Sequence, residues 1–174
     1  DLSLQVGETR WRANFSKQQG RQSCSFRIVP KHSFRLRDLR LPETLKDVLT
    51  VPRGLVLVTG PTGQGKSTTV RALIQEINAT QAMRIITIED PIEFIFDDQV
   101  SQFEQREVGI DTASFADGIR NAMRQDPNVI FVGEIRDRDS IFTAVQASVS
   151  NSILIRFFHI LFSLFFLSSA WIIG

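Results

Sequence analysis

Residues Gly60, Pro61, Thr62, Gly63, Gln64, Gly65, Lys66 and Ser67, followed by Thr68, fit the pattern G-x-x-x-x-G-K-[ST]. This spacing suits phosphate binding. Glycines let a short loop fold into a concave nest whose backbone N–H groups meet phosphate oxygens. A helix that starts at the end of the loop turns its positive dipole end toward the anion. The lysine reaches the β- and γ-phosphates, and the next hydroxyl is a ligand for Mg²⁺. A random chain of this length holds the pattern with a probability on the order of half a percent. ATP and Mg²⁺ are therefore the expected ligands, with Ser67 on the metal side.

Two acidic clusters follow apolar runs. Glu89-Asp90-Pro91-Ile92-Glu93 comes after residues 85–88, and Gly133-Glu134-Ile135-Arg136-Asp137 comes after residues 129–132. In open α/β sheets ligands bind beyond the carboxyl ends of the strands. A carboxylate there holds Mg²⁺ or orients an attacking water. Solvated charge at a strand end has the same composition, so position alone leaves both readings open for Glu93 and Glu134. The place commonly filled by Asp is occupied by Gly133, with Glu134 next to it.

The elements that must position these residues are predicted from hydrophobic spacing. Residues 55–58 are a continuous apolar run, as in a strand buried on both faces of a parallel sheet. Val70, Leu73, Ile74 and Ile77 recur at i, i+3, i+4, i+7, which predicts a helix opened by the glycine-rich loop. Residues 85–88 and 129–132 predict further buried strands. Residues 114–125 predict a helix, with Ser114 and Asp117 as a capping box and Pro127 as its stop. Residues 140–149 predict another helix. Alternating strands and helices make the class α/β with a mainly parallel sheet. Upstream, residues 8–29 read as two short strands around a polar turn at 18–20, and 30–53 as a connector punctuated by Pro30, Pro42 and Pro52, with one short helix around Leu45, Val48 and Leu49.

Charge is uneven along the 174 residues: net +5 over 1–50, −5 over 51–140 and +1 over 141–174, where Arg156 is the one charged residue. With 43% hydrophobic and 22% charged residues, the bulk of the chain is not a disordered sequence. One cysteine, Cys24, excludes an intramolecular disulfide framework, and two histidines make a His-rich metal centre a poor fit. The near-neutral total gives no strong nucleic-acid signal. The first residue is Asp1 and no apolar leader follows, so the chain is expected to begin inside a larger protein.

Four segments in order, RGLVLVTGPTGQGKSTT, IITIEDPIEF, QREVG-x-DT-x-SF and DPNVIFVGEIRD, resemble the type II/type IV secretion ATPases, and most of all their PilT-like branch of type IV pilus retraction motors. The resemblance covers roughly residues 8–150. It implies an α/β fold of P-loop NTPase, RecA-like kind, and a cytoplasmic ATPase, peripheral at the inner membrane, that works as a hexameric ring with a pilus or secretion platform protein as partner. Residues 60–68 are similar to the family's Walker A loop. Residues 89–93 are similar to its Asp box, with Glu93 at the general-base carboxylate. Gly133 and Glu134 are similar to its Walker B, which puts Glu134 on the metal side. Arg12 and Arg27 fall where the small N-terminal α+β domain supplies arginines to a nucleotide, with Arg10 a lesser candidate. Arg106 and Arg136 lie in family motifs and equally suit structural ion pairs. The implied organisation is the end of the small domain (1–30), a linker (31–52), the N-terminal half of the ATPase core (53–152) and a divergent apolar tail (153–174).

The tail departs from the family. Ser152 stands at the first histidine of the family's histidine box, and His159 falls at the second. The apolar run from 153 to 173 is 21 residues, long enough for a single membrane span. A reading-frame slip in a truncated ATPase accounts for the same composition and is the expectation adopted here. Two other readings stay open: a DNA-transfer secretion ATPase, and a nucleotide-binding fragment, membrane-associated or non-functional.

Overall fold

The computed structural model describes residues 2–29, 35–51, 53–61, 63–133, 137–149, 153–158 and 170–173. Strands β1 (Leu2–Val6), β2 (Thr9–Gln18) and β3 (Arg21–Val29) form an antiparallel sheet in that order. The β2–β3 turn is two residues long, with φ of 50° at Gln19 and 78° at Gly20, the left-handed pair that suits a tight hairpin. β2 and β3 lie where the alternation predicts them. β1 is an additional strand, whose Leu2, Leu4 and Val6 alternate with Ser3 and Gln5 at the period of a strand. Register aligns Ser3 with Arg12 and Arg12 with Arg27, so these three form one row across the sheet.

The larger sheet contains β4 (Gly54–Thr59), β5 (Arg84–Glu89), β6 (Gln102–Glu107), β7 (Val129–Val132), β8 (Ile153–Phe158) and β9 (Ala170–Ile173). Its order is β6-β5-β7-β8-β4-β9, and every pairing is parallel. Helices α1 (Lys66–Thr80), α2 (Phe115–Ala122) and α3 (Arg138–Val149) cover its faces.

Period-two alternation divides the core as strand geometry requires. Val56, Val58, Ile85, Val129 and Phe131 pack with Val70, Leu73, Ile74 and Ile77 of α1. Leu55, Ile86, Ile88, Ile130 and Val132 pack on the other face with Ile119 and Ala122 of α2 and Ala144 and Ala147 of α3. The fold is thus α/β with a parallel sheet between two helical layers, as predicted. Ser114 caps α2 by accepting the Asp117 N–H at 3.1 Å.

Two expectations change. The segment read as a connector with one short helix holds two 3₁₀ helices, the expected one at Glu43–Thr50 and a further one at Leu36–Leu39, and Leu36, Leu45, Val48 and Leu49 are buried in the α1 layer. Proline spacing marked the breaks between them but not their packing. The apolar run from residue 153 was expected to lie beyond the core. Instead β8 sits between β4 and β7, with Ile153 opposite both Gly54 and Val129, and β9 pairs on the far side of β4. A strand inside a parallel sheet is apolar on both faces, so its composition matches that of a membrane span. No helix among the described residues is long and apolar enough to cross a membrane.

Gly118 marks the closest approach of α2 to the sheet: a Cβ there would lie 2.9 Å from Cγ2 of Ile88, which is fully buried. Overpacking of about 1–3 kcal/mol opposes a helix-propensity gain of about 1 kcal/mol. Gly118→Ala should therefore lower stability by about 1 kcal/mol in urea unfolding.

Candidate functional site

The parallel strands deliver the predicted site segments to one edge of the sheet. The glycine-rich loop follows β4, Glu89 ends β5, Glu107 ends β6, and Gly133 follows β7. The order places β5 three strands from β4, about 14 Å at the usual spacing.

The loop from Gly60 runs into α1, whose N-cap is Gly65. Gly63 and Gly65 have φ of 82° and 86°, in the left-handed region where a Cβ is strained. Helical bonding starts at once, with the Thr69 N–H donating to the Gly65 carbonyl at 2.8 Å. Ser67 and Thr68 are half-buried on the first turn, while Pro61 and Gln64 are exposed. Lys66 Nζ donates to the carbonyl oxygen of Pro61 at 2.7 Å, so the ammonium lies over its own loop. Thr62 lies outside the described residues.

This donor set fits a nucleotide phosphate: an ammonium, a helix N-terminus and two adjacent hydroxyls. For a Mg²⁺ ion the fit rests on the Ser67 hydroxyl, a hard oxygen donor of the kind that supplements waters and phosphate oxygens. Among the described residues, no group of three or more His, Cys, Asp or Glu could hold a metal ion. Glu134 and Arg136 lie outside the described residues, as do Ser152 and His159. Gly133 is described: its N–H donates to the Ile88 carbonyl at 2.8 Å, and its open side faces the Glu89 backbone and Cγ.

Glu89 is 5% exposed and sits on the α1 face of β5. Thr87 Oγ1 donates to its Oε1 at 2.8 Å, Gln105 Nε2 reaches the same oxygen at 3.4 Å, and the Glu93 N–H reaches Oε2 at 3.4 Å. Gln105 also holds the following segment, donating to the Phe94 carbonyl and accepting from the Phe96 N–H. Burial outweighs these bonds and pushes the Glu89 carboxyl up from 4.5 to about 6.

The folded state therefore binds a proton more tightly than the unfolded one, and stability falls as pH rises between 4.5 and about 6. Glu89→Gln removes the ionisation and keeps an acceptor for Thr87. It should stabilise the fold by up to about 2 kcal/mol at pH 8, with the gain vanishing below pH 4.5, as read by urea unfolding across pH.

Glu93 is exposed and faces two guanidinium groups. Arg71 Nη2 hydrogen-bonds its Oε2, and Arg12 Nη1 lies 3.9 Å from its Oε1. Arg71 also stands 5.9 Å over the Phe94 ring. The structure thus brings together Arg12 and Glu93, two of the residues singled out in the sequence. Arg27 is exposed and lies directly across from Arg12 in the sheet, a pairing of like charges that costs stability.

Arg10 is engaged elsewhere. Its Nη2 pairs with Glu107 Oε2 at 2.8 Å, and Ser3 Oγ and the Ile92 N–H donate to that same oxygen. Arg106 bonds Glu104 and Gln125, which makes it a structural partner rather than a phosphate ligand in this arrangement. Sequence reasoning did not single out Arg71 or Glu107. The available signal for Arg71 was its position four residues after Ser67, on the same helix face. Glu107 gave none, because its partners come from residues 3, 10 and 92.

The family model described as "Type II/IV secretion system protein" matches residues 17–153. The type IV pilus retractation ATPase PilT of Pseudomonas aeruginosa is 42% identical over 160 residues, covering 91% of this chain and 46% of that protein. The twitching motility protein of Neisseria gonorrhoeae is 42% identical over 160 residues, covering 91% of this chain and 43% of that protein. The crystal structure of the pilus retraction motor PilT with bound ADP superposes with a TM-score of 0.88 at 44% identity, covering 92% of this chain and 47% of that one. The chain spans about half the length of the relatives it matches.

Proposed function

The chain belongs to the type II/IV secretion system protein family, and on that premise we propose that it is the nucleotide-binding part of a Mg²⁺-dependent ATPase motor. The motor powers pilus retraction or the movement of pilin-like subunits. One observation carries the reading: β4, the glycine-rich loop and α1 present Lys66 and Ser67 at a helix start on the same side of the sheet as Glu89, which ends β5, and Glu93, which follows it. ADP bound to the similar retraction motor supports the choice of nucleotide.

The reaction is ATP + H₂O → ADP + phosphate. When bound, Mg²⁺ neutralises charge on the β- and γ-phosphates. Lys66 stabilises charge on the transferred phosphoryl group. Ser67 would hold the metal, with Glu134 assigned to the same task by its place in the sequence motif. Glu93 orients the attacking water and takes its proton. Arg12 and Arg27 add charge from the small antiparallel sheet, in the bidentate geometry that guanidinium groups make with phosphate. The gain comes from positioning and fixed charge. The working form is a hexameric ring at the cytoplasmic side of the inner membrane, docked on a pilus or secretion platform protein.

The test is phosphate release from ATP with Mg²⁺ and with a chelator, on the chain and on its Lys66→Ala variant. Turnover that requires Mg²⁺ and Lys66 supports the assignment. Turnover unaffected by either removes it.

A further inference from the structure

We propose that Arg71 is the positioning residue for Glu93, holding that carboxylate on the phosphate-loop side of the sheet edge. The inference rests on the hydrolytic reading above and names a group that reading does not use.

Three observations carry it. First, Ser67 and Arg71 are four residues apart on α1, so their Cβ atoms lie on one face, about 5–6 Å apart. The helix that presents Ser67 to the phosphate therefore presents Arg71 one turn further on. Second, the Arg71 guanidinium hydrogen-bonds Glu93 Oε2, linking residues 22 apart in sequence. This contact links α1, which follows the loop after β4, to the segment after β5, with two strands between β4 and β5 in the sheet. Third, the guanidinium is itself fixed. It lies over the buried Phe94 ring at 5.9 Å, and its side chain is 19% exposed against 47% for Glu93. The positive charge also acts on Glu89, the buried carboxyl at the end of β5.

The two oxygens of Glu93 thus have different partners. Oε2 is held by Arg71, from the same layer of the core. Oε1 faces Arg12 at 3.9 Å, from the small sheet. When Arg12 turns to a nucleotide, Arg71 still orients the carboxylate. A half-exposed glutamate without that anchor samples several rotamers, few of which point Oε1 at the water. An ion pair this exposed contributes little to folding, so its effect belongs in turnover rather than stability.

The experiment compares Arg71→Gln, Arg71→Lys, Glu93→Gln and the Arg71→Gln/Glu93→Gln double variant by steady-state ATP hydrolysis, fluorescent-nucleotide titration and urea unfolding. Arg71→Gln should lower kcat about 10–100-fold, with KM and nucleotide affinity within about twofold and the unfolding midpoint nearly unchanged. Arg71→Lys keeps the charge without the planar fork, and should recover most of the loss. In the Glu93→Gln background, Arg71→Gln should change kcat less than about twofold, because both substitutions remove the same function.

A kcat within twofold of the unsubstituted chain for Arg71→Gln, or losses that simply multiply in the double variant, overturns the positioning role while the ATPase reading stands. Hydrolysis that does not depend on Lys66 overturns the ATPase reading, and the positioning role with it. A destabilised Arg71→Gln is resolved by Arg71→Lys: recovered stability without recovered kcat also refutes the proposal.

Discussion

Lys66→Ala should lower ATP turnover by about 10²–10³-fold or more, the scale on which single fixed donors act on developing charge. The fold should be untouched. Lys66 makes a hydrogen bond to the Pro61 carbonyl at the protein surface, a contact of small net worth. The lysine is also the first residue of α1, where a positive charge opposes the helix dipole and alanine is the better helix former. Urea unfolding should therefore show equal or slightly higher stability. Lys66→Arg should not rescue turnover. A guanidinium is a broad planar fork, whereas this loop accommodates a point charge folded over its own backbone. Unchanged stability with lost hydrolysis assigns the loss to the phosphate site. Turnover that survives the substitution would place hydrolysis elsewhere.

What could be read in advance follows from how local each feature is. Residues 55–58, 85–88 and 129–132 are apolar because they are buried on both sheet faces, so three strands were visible as runs. β6 was not, because QFEQRE pairs with β5 alone at the sheet edge and carries the charges that edges tolerate. The same logic explains β8. ILIRFF has the apolar composition expected of a strand inside a parallel sheet, but its partners β4 and β7 are distant in sequence or out of order with it. Run length alone does not separate such a strand from a membrane segment. The glycine-rich loop is one contiguous motif, so its place between β4 and α1 was legible. The acidic segments were legible as strand ends, but the difference between Glu89 and Glu93 was not. One is buried with a raised pKa and the other is exposed between two arginines, a distinction that only packing creates. Arg71 gave no signal of its carboxylate 22 residues away, and Arg10, a lesser candidate for the nucleotide, instead pairs with a carboxylate 97 residues away.

The second large effect is expected at the junction between the small sheet and the core. Glu107 Oε2 receives Arg10 of β2 at 2.8 Å, Ser3 of β1 at 3.0 Å and the Ile92 N–H at 3.1 Å. Its side chain is 6% exposed, and that of Arg10 is 24% exposed. Arg10→Met keeps the aliphatic bulk and strands a buried carboxylate on two neutral donors. Breaking a buried pair from one side costs about 3–5 kcal/mol, and the partial exposure of Arg10 places this case near the low end.

Glu107→Gln should cost less, about 1–2 kcal/mol. The amide oxygen still accepts from Ser3 and Ile92, while the partly exposed Arg10 reaches water. The order of the two variants is thus set by which charge is deeper. The loss should also be localised. Trp11 of β2 reports the small sheet, and Trp171→Phe removes the other tryptophan. In that background Trp11 fluorescence and far-UV circular dichroism should share one urea midpoint. In Arg10→Met the fluorescence midpoint should fall first, as the small sheet opens before the core. Arg12 lies two residues along the same strand face, so opening at Arg10 also withdraws Arg12 from Glu93. ATP turnover should then fall along with the fluorescence midpoint, whereas coincident transitions in Arg10→Met would show that this ion pair does not hold the two sheets together.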